Sequence, residues 1–94
     1  MKNEVDKKIM LMAGASAAIS YKKTKPNADT EEAISHVMRN LKDNRETKIF
    51  AIAGANFVLK ILERKPQTSE KELMQALANE TSSVLMSIEE QILE

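Results

Sequence analysis

Apolar residues fall into two dense blocks and two sparser, spaced ones. Ile9 to Tyr21 is almost continuously apolar or small, and the same texture returns from Ile49 to Leu62. Between the blocks, Ile34, Val37, Met38 and Leu41 follow the i, i+3, i+4, i+7 spacing of an amphipathic helix. After the second block, Leu73, Leu77, Val84, Ile88 and Ile92 hold one helical phase, with Glu80 inside the apolar arc. No stretch alternates as a half-buried strand would. The pattern predicts four helices: from residue 3 or 4 to about 23, from 29 to 42, from 45 to 64, and from about 69 to the end. The last is read as one long helix in preference to the alternative of a break at residues 79–83.

At 100° per residue, Ser16, Ser20 and Lys23 form a narrow polar strip on helix 1, facing away from Met10, Gly14, Ala17, Ala18 and Tyr21. Helix 3 has the same layout. Asn56, Lys60 and Glu63 share a strip that also carries Ile49, and Phe50, Gly54, Phe57, Val58 and Ile61 oppose it. Helices apolar over so much of their circumference belong inside, so 1 and 3 are the expected central pair.

The echo is a repeat. Shifting the chain so that Ala13-Gly14-Ala15 falls on Ala53-Gly54-Ala55, an offset of 40 residues, also brings Lys8-Ile9 onto Lys48-Ile49, Lys25-Pro26 onto Lys65-Pro66 and Glu32 onto Glu72, without a gap. The reading is an all-α, four-helix up-and-down bundle of two tandem hairpins, residues 3–42 and 43–94, forming one domain. Asp29 with Glu32, and Ser69 with Glu72, are capping pairs that start helices 2 and 4; Asp43 with Glu46 starts helix 3. The Lys-Pro corners stop helices 1 and 3.

A mid-helix glycine costs on the order of 1 kcal/mol against alanine, so two at equivalent positions point to a packing purpose. Gly14, Gly54, Ala13 and Ala53 are assigned to a close crossing of helices 1 and 3, where alanine would give little or no gain and leucine would overpack. Single glycines inside helices cannot form a phosphate-binding loop.

Composition narrows the chemistry. Lys plus Arg equals Asp plus Glu at 14 each, so the net charge is zero, which argues against a polyanion-binding protein. Without cysteine there is no disulfide, thiolate ligand or cysteine nucleophile. His36 is the single histidine; Glu32 lies one turn before it, but nothing completes a metal site, and Ala76 takes its place in the second repeat. Ser82, Ser83 and Ser87 have no base to activate them. No catalytic, cofactor or metal residue is assigned. Lys7-Lys8 before an apolar run resembles a signal peptide, yet Glu4 and Asp6 spoil the leader and the pattern recurs in mid-chain. Neither apolar run reaches the roughly 20 residues a membrane span needs. The expected location is the cytoplasm.

Residues 71–77 followed by 79–85 resemble the repressor-type helix-turn-helix, which implies a DNA-binding regulator with its motif in residues 71–94. Met74 stands where that motif has a small residue, no glycine marks the turn, and beyond Val84 the segment carries Glu89, Glu90 and Glu94 without a single Lys or Arg.

The favoured function is a non-enzymatic protein-interaction or regulatory module acting as a homodimer. Helix 2 is too short to sheath its neighbours. Leu11, Ala18, Ala51, Val58 and Leu62, with Leu85, Met86 and Ile92 on helix 4, are therefore expected to stay partly exposed in one chain and to form the dimer interface.

Overall fold

The computed structural model describes residues 4–40 and 45–93. It is all-helical, with four helices and no strand among the described residues: α1 Glu4–Thr24, α2 Thr30–Asn40, α3 Arg45–Arg64 and α4 Glu70–Leu93. Leu41, the end of helix 2 beyond residue 40, the Asp43–Glu46 start signal and the side chain of Ile92 lie outside the described residues.

The helix starts follow from local chemistry. Asp29 accepts a hydrogen bond from the Glu32 amide through Oδ1 at 2.8 Å. At α4 the exchange is reciprocal: the Glu72 amide donates to Ser69 Oγ at 3.2 Å and the Ser69 amide donates to Glu72 Oε1 at 3.3 Å. Each cap satisfies backbone donors that the first helical turn leaves without partners. The helix ends also match. The Lys25 amide donates to the Tyr21 carbonyl and the Lys65 amide to the Ile61 carbonyl, both at 2.8 Å.

The most extensive contact is between α1 and α3; α2 and α4 each touch both of them and, among the described residues, do not touch each other. Two rows spaced by four residues are buried on each central helix. On α1 these are Met10, Gly14, Ala18 and Leu11, Ala15, Ile19; on α3 they are Phe50, Gly54, Val58 and Ala51, Ala55, Leu59. Rows at this spacing are the ridges that interlock when two helices pack. The buried face of α1 is thus turned toward Leu11, Ala15 and Ile19, leaving Ala17 and Tyr21 half-buried at its edge.

The glycines sit where the backbones meet. A Cβ on Gly14 would overlap the carbonyl oxygen of Ala51 and come within 2.5 Å of its carbonyl carbon. A Cβ on Gly54 would overlap the carbonyl oxygen of Leu11 and lie 2.8 Å from its carbonyl carbon. The contact is reciprocal, since Ala51 follows Leu11 by the same 40 residues that separate the glycines. It is tighter than the sequence reading supposed, and even a methyl group does not fit. Ala13 is exposed and Ala53 half-buried, so neither makes the crossing; Ala15 and Ala55, both fully buried, flank it instead.

That approach corrects the expected exposure. Leu11, Ala18 and Val58 are 0% exposed and Ala51 1%, so the crossing itself covers residues assigned to an interface between chains. Leu85 is also inside, at 4%, while Leu62 is half-buried. Among the described members of the set, Met86 alone stands well out, at 62%. On α2, Ala33 and Val37 are buried and Met38 is 42% exposed, against the expectation that Met38 is core.

α4 is continuous through residues 79–83. Leu73, Leu77, Thr81, Leu85 and Ile88 form its buried row, Val84 is half-buried and Glu80 is exposed, so Glu80 carries no burial penalty. Thr81 is tolerated inside because its hydroxyl donates to the Leu77 carbonyl at 2.8 Å. Without a turn in this helix, the two-helix geometry of a helix-turn-helix is not formed there. The far half of α4 returns along α1, where Lys7 Nζ meets Glu89 Oε1 at 2.8 Å.

Lys7 Nζ also lies 5.9 Å from the centre of the Phe50 ring, which puts the starts of α1 and α3 at one end of the molecule. At the other end, Lys23 of α1 pairs with Glu70 of α4 at 2.6 Å, and Thr30 of α2 donates to Glu63 of α3 at 3.3 Å. α1 and α3 therefore run in the same direction, and both Lys-Pro corners lie at that second end.

Candidate functional site

Hollows lie near the ends of the long helices: a shallow one at Lys65, Pro66 and Glu72, and two lined by more residues. One is lined by Ile19, Leu62 and Leu73 with Pro26 and Pro66 at its rim, between the two Lys-Pro corners. The basic residues beside it are already engaged. Lys22 Nζ donates to the carbonyls of Pro26 at 3.0 Å and Ala28 at 2.7 Å, closing the end of α1, and Lys23 is paired with Glu70. This corner is built as a helix stop and a tie between helices, as cations at a helix C-terminus favour.

The other hollow is an open groove along the α1–α2 seam, lined by Ala17, Ser20, Tyr21, Thr24, Lys25, His36 and Arg39. Tyr21 and His36 stack with their ring centres 4.3 Å apart and their planes 23° from parallel. The Tyr21 hydroxyl donates to Glu32 Oε2 at 2.7 Å. Lys25 Nζ lies 5.7 Å from the centre of the Tyr21 ring, within cation–π range. Arg39 enters from α2, with Nε donating a long bond of 3.4 Å to the Ser35 carbonyl one turn back.

The electrostatics are those of a held phenol. The hydrogen bond to Glu32, then partial desolvation, then the Glu32 charge push the Tyr21 pKa above 10.0, against a smaller opposing effect of Arg39. A phenol that acts as a nucleophile or as an acid near neutral pH needs the opposite shift. Tyr21 is thus kept protonated, as a donor and a flat apolar face.

Sequence reasoning paired Glu32 with His36, because they are one turn apart on α2. The structure instead gives Glu32 to Tyr21 and stacks His36 on the same ring, so the aromatic residue of α1 organises both. The available signal was Tyr21 as the lone aromatic residue at the end of the apolar block of α1, with Glu32 and His36 on one face of the helix that follows. Among the described residues no group of three or more His, Cys, Asp or Glu side chains could hold a metal ion, and no buried side-chain nitrogen or oxygen lacks a partner. No helix among them is long and apolar enough to cross a membrane. Comparison with models of known families, with curated proteins and with solved structures gives no match.

Proposed function

We propose that the chain is a non-enzymatic protein-interaction module: an up-and-down arrangement of two duplicated hairpins that offers the α1–α2 seam to a protein partner. The duplication supplies an internal control. Burial at positions 14, 15, 18, 19, 33 and 37 recurs at 54, 55, 58, 59, 73 and 77. The capping and helix-end hydrogen bonds recur at the same offset. The two seams nevertheless differ in kind. Phe57, Ile61 and Ala76 stand in the second hairpin where the first has Ala17, Tyr21 and His36. That one observation carries the reading: the first hairpin has a groove over Ala17, at a place where the second carries the large apolar Phe57.

The homodimer loses much of its motive, because Leu11, Ala18, Ala51, Val58 and Leu85 are covered within one chain, while Leu62 stays half-buried and Met86 exposed. The Cα radius of gyration of 12.6 Å is about what a chain of this length gives as one compact domain. Among the described residues, the large apolar side chains left exposed are Ile9, Met38 and Met86, on three different helices. Scattered single residues of this kind are ordinary on a monomer.

The test is affinity capture with the whole chain and with Ala17→Phe, which places in the groove the side chain that the second hairpin carries. A stoichiometric protein that co-purifies with the wild type and is lost with Ala17→Phe is the expected result. Capture indifferent to Ala17→Phe would remove the groove from the account. A sequence-selective, sub-micromolar DNA complex at physiological salt, measured by anisotropy, would replace the reading with the DNA-binding one.

A further inference from the structure

The second hairpin shows what fills a seam of this kind. Phe57 is half-buried against the core, with Ile61 one turn further along α3 and Ala76 on α4. The corresponding residues of the first hairpin are Ala17, Tyr21 and His36. There the imidazole is turned onto Tyr21, with ring centres 4.3 Å apart, and an open groove remains along Ala17. Ala17 and the two rings are its apolar lining, and Ser20, Thr24, Lys25 and Arg39 supply the polar remainder.

Charge does not choose the occupant. Lys25 and Arg39 line the groove, while Glu32 and Asp29 keep their negative charge beside it as they accept hydrogen bonds from the Tyr21 hydroxyl and the Glu32 amide. Glu32, Arg39 and Asp29 all act on the Tyr21 hydroxyl, Glu32 most strongly. With both signs present there is no field of one sign to draw in a carboxylate or an ammonium. Apolar surface is the remaining source of affinity, and Ala17 and the two rings provide it.

Resting on the interaction-module reading, we propose that the groove seats a phenylalanine side chain of the protein partner, lodged over Ala17 against the Tyr21–His36 pair, at the place that Phe57 takes in the second hairpin. The chain supplies this ring from within in one copy and receives it from the partner in the other. Phenylalanine fits better than an aliphatic side chain, because rings gain from offset or edge-to-face contact beyond the area they bury. An aromatic anchor ringed by polar groups is also the usual arrangement at the centre of a protein interface.

The test is a titration of the 15N-labelled whole chain with N-acetyl-phenylalaninamide into the millimolar range, with the same derivatives of leucine and glutamate as comparison probes. Saturable shifts centred on the amides of Ala17, Tyr21 and His36 are expected with phenylalanine. Leucine should bind about two- to tenfold more weakly, and glutamate should give no saturable shift. Two variants borrow residues from the second hairpin. Ala17→Phe should abolish the shifts, and Tyr21→Ile should remove the preference for phenylalanine over leucine. Absence of saturable shifts with phenylalanine, equal or tighter binding of leucine or glutamate, or shifts that survive Ala17→Phe overturn the proposal. Partner capture lost with Ala17→Phe while the phenylalanine probe fails to bind would overturn the ring and keep the groove as the docking surface. Probe binding with capture indifferent to Ala17→Phe would instead overturn the interaction-module reading.

Discussion

Alanine at Gly14 or at Gly54 is expected to destabilise the protein by about 1–3 kcal/mol, the range for forcing extra atoms into a packed interior. Leucine should cost at least as much. Helix propensity alone predicts the opposite sign, a gain of roughly 1 kcal/mol for each alanine. Geometry decides between them, because the atoms that a new Cβ would meet are backbone atoms of Ala51 and Leu11, which cannot move aside as a flexible side chain could. Relief requires separating α1 from α3, and that opens the most extensive contact in the fold. Since both glycines serve one crossing, the separation forced by the first substitution accommodates the second. The double variant should fall short of the sum of the singles. Urea midpoints at unchanged slope give the answer. An alanine variant more stable than the wild type would mean that the helices are not in backbone contact.

Leu85→Ala is expected to cost about 2–5 kcal/mol, the range for truncating a buried leucine to alanine. Met86→Ala, its exposed neighbour, should stay within about 0.5 kcal/mol of the wild type. The contrast tests which surface the far half of α4 serves. With Leu85 and Ile88 buried and Glu89 tied to Lys7 of the same chain, the loss should appear at any protein concentration. The melting temperature should likewise be independent of concentration. If Leu85→Ala were neutral in a monomer and harmful only when chains associate, α4 would belong to an interface between copies, and the exposure reading from sequence would be restored.

The elements were legible because their signals are local. Asp29 and Ser69 announce helix starts by side chains that bond three residues ahead, and the Lys-Pro corners announce helix ends. The phase of α4 could be followed without Gly or Pro to interrupt it, although Thr81 hid its place in the buried row behind a hydroxyl satisfied within its own helix. Burial on the central pair was less legible. Helices at the usual separation of about 8–10 Å leave flanking side chains half covered. Gly14 and Gly54 were recognised as a crossing, yet how far it shrinks that separation depends on two distant backbones meeting. Leu11, Ala18, Ala51 and Val58 were consequently placed on the surface and lie in the core. The groove was harder still. Its parts are ordinary one at a time, and Tyr21, Glu32 and His36 become a unit only once α2 folds back along α1.

The shared direction of α1 and α3 and their reciprocal glycine contact hold the account together, and one spectrum addresses both. In a nuclear Overhauser experiment on the 13C,15N-labelled chain, the Hα protons of Gly14 should give cross-peaks to Ala51 and those of Gly54 to Leu11, with Phe50 ring protons connecting to the side chain of Lys7. Their presence together fixes a parallel crossing with backbone contact. Gly14 and Gly54 without any cross-peak to the facing helix, or Phe50 connected instead to the Lys22–Lys25 end of α1, would contradict it.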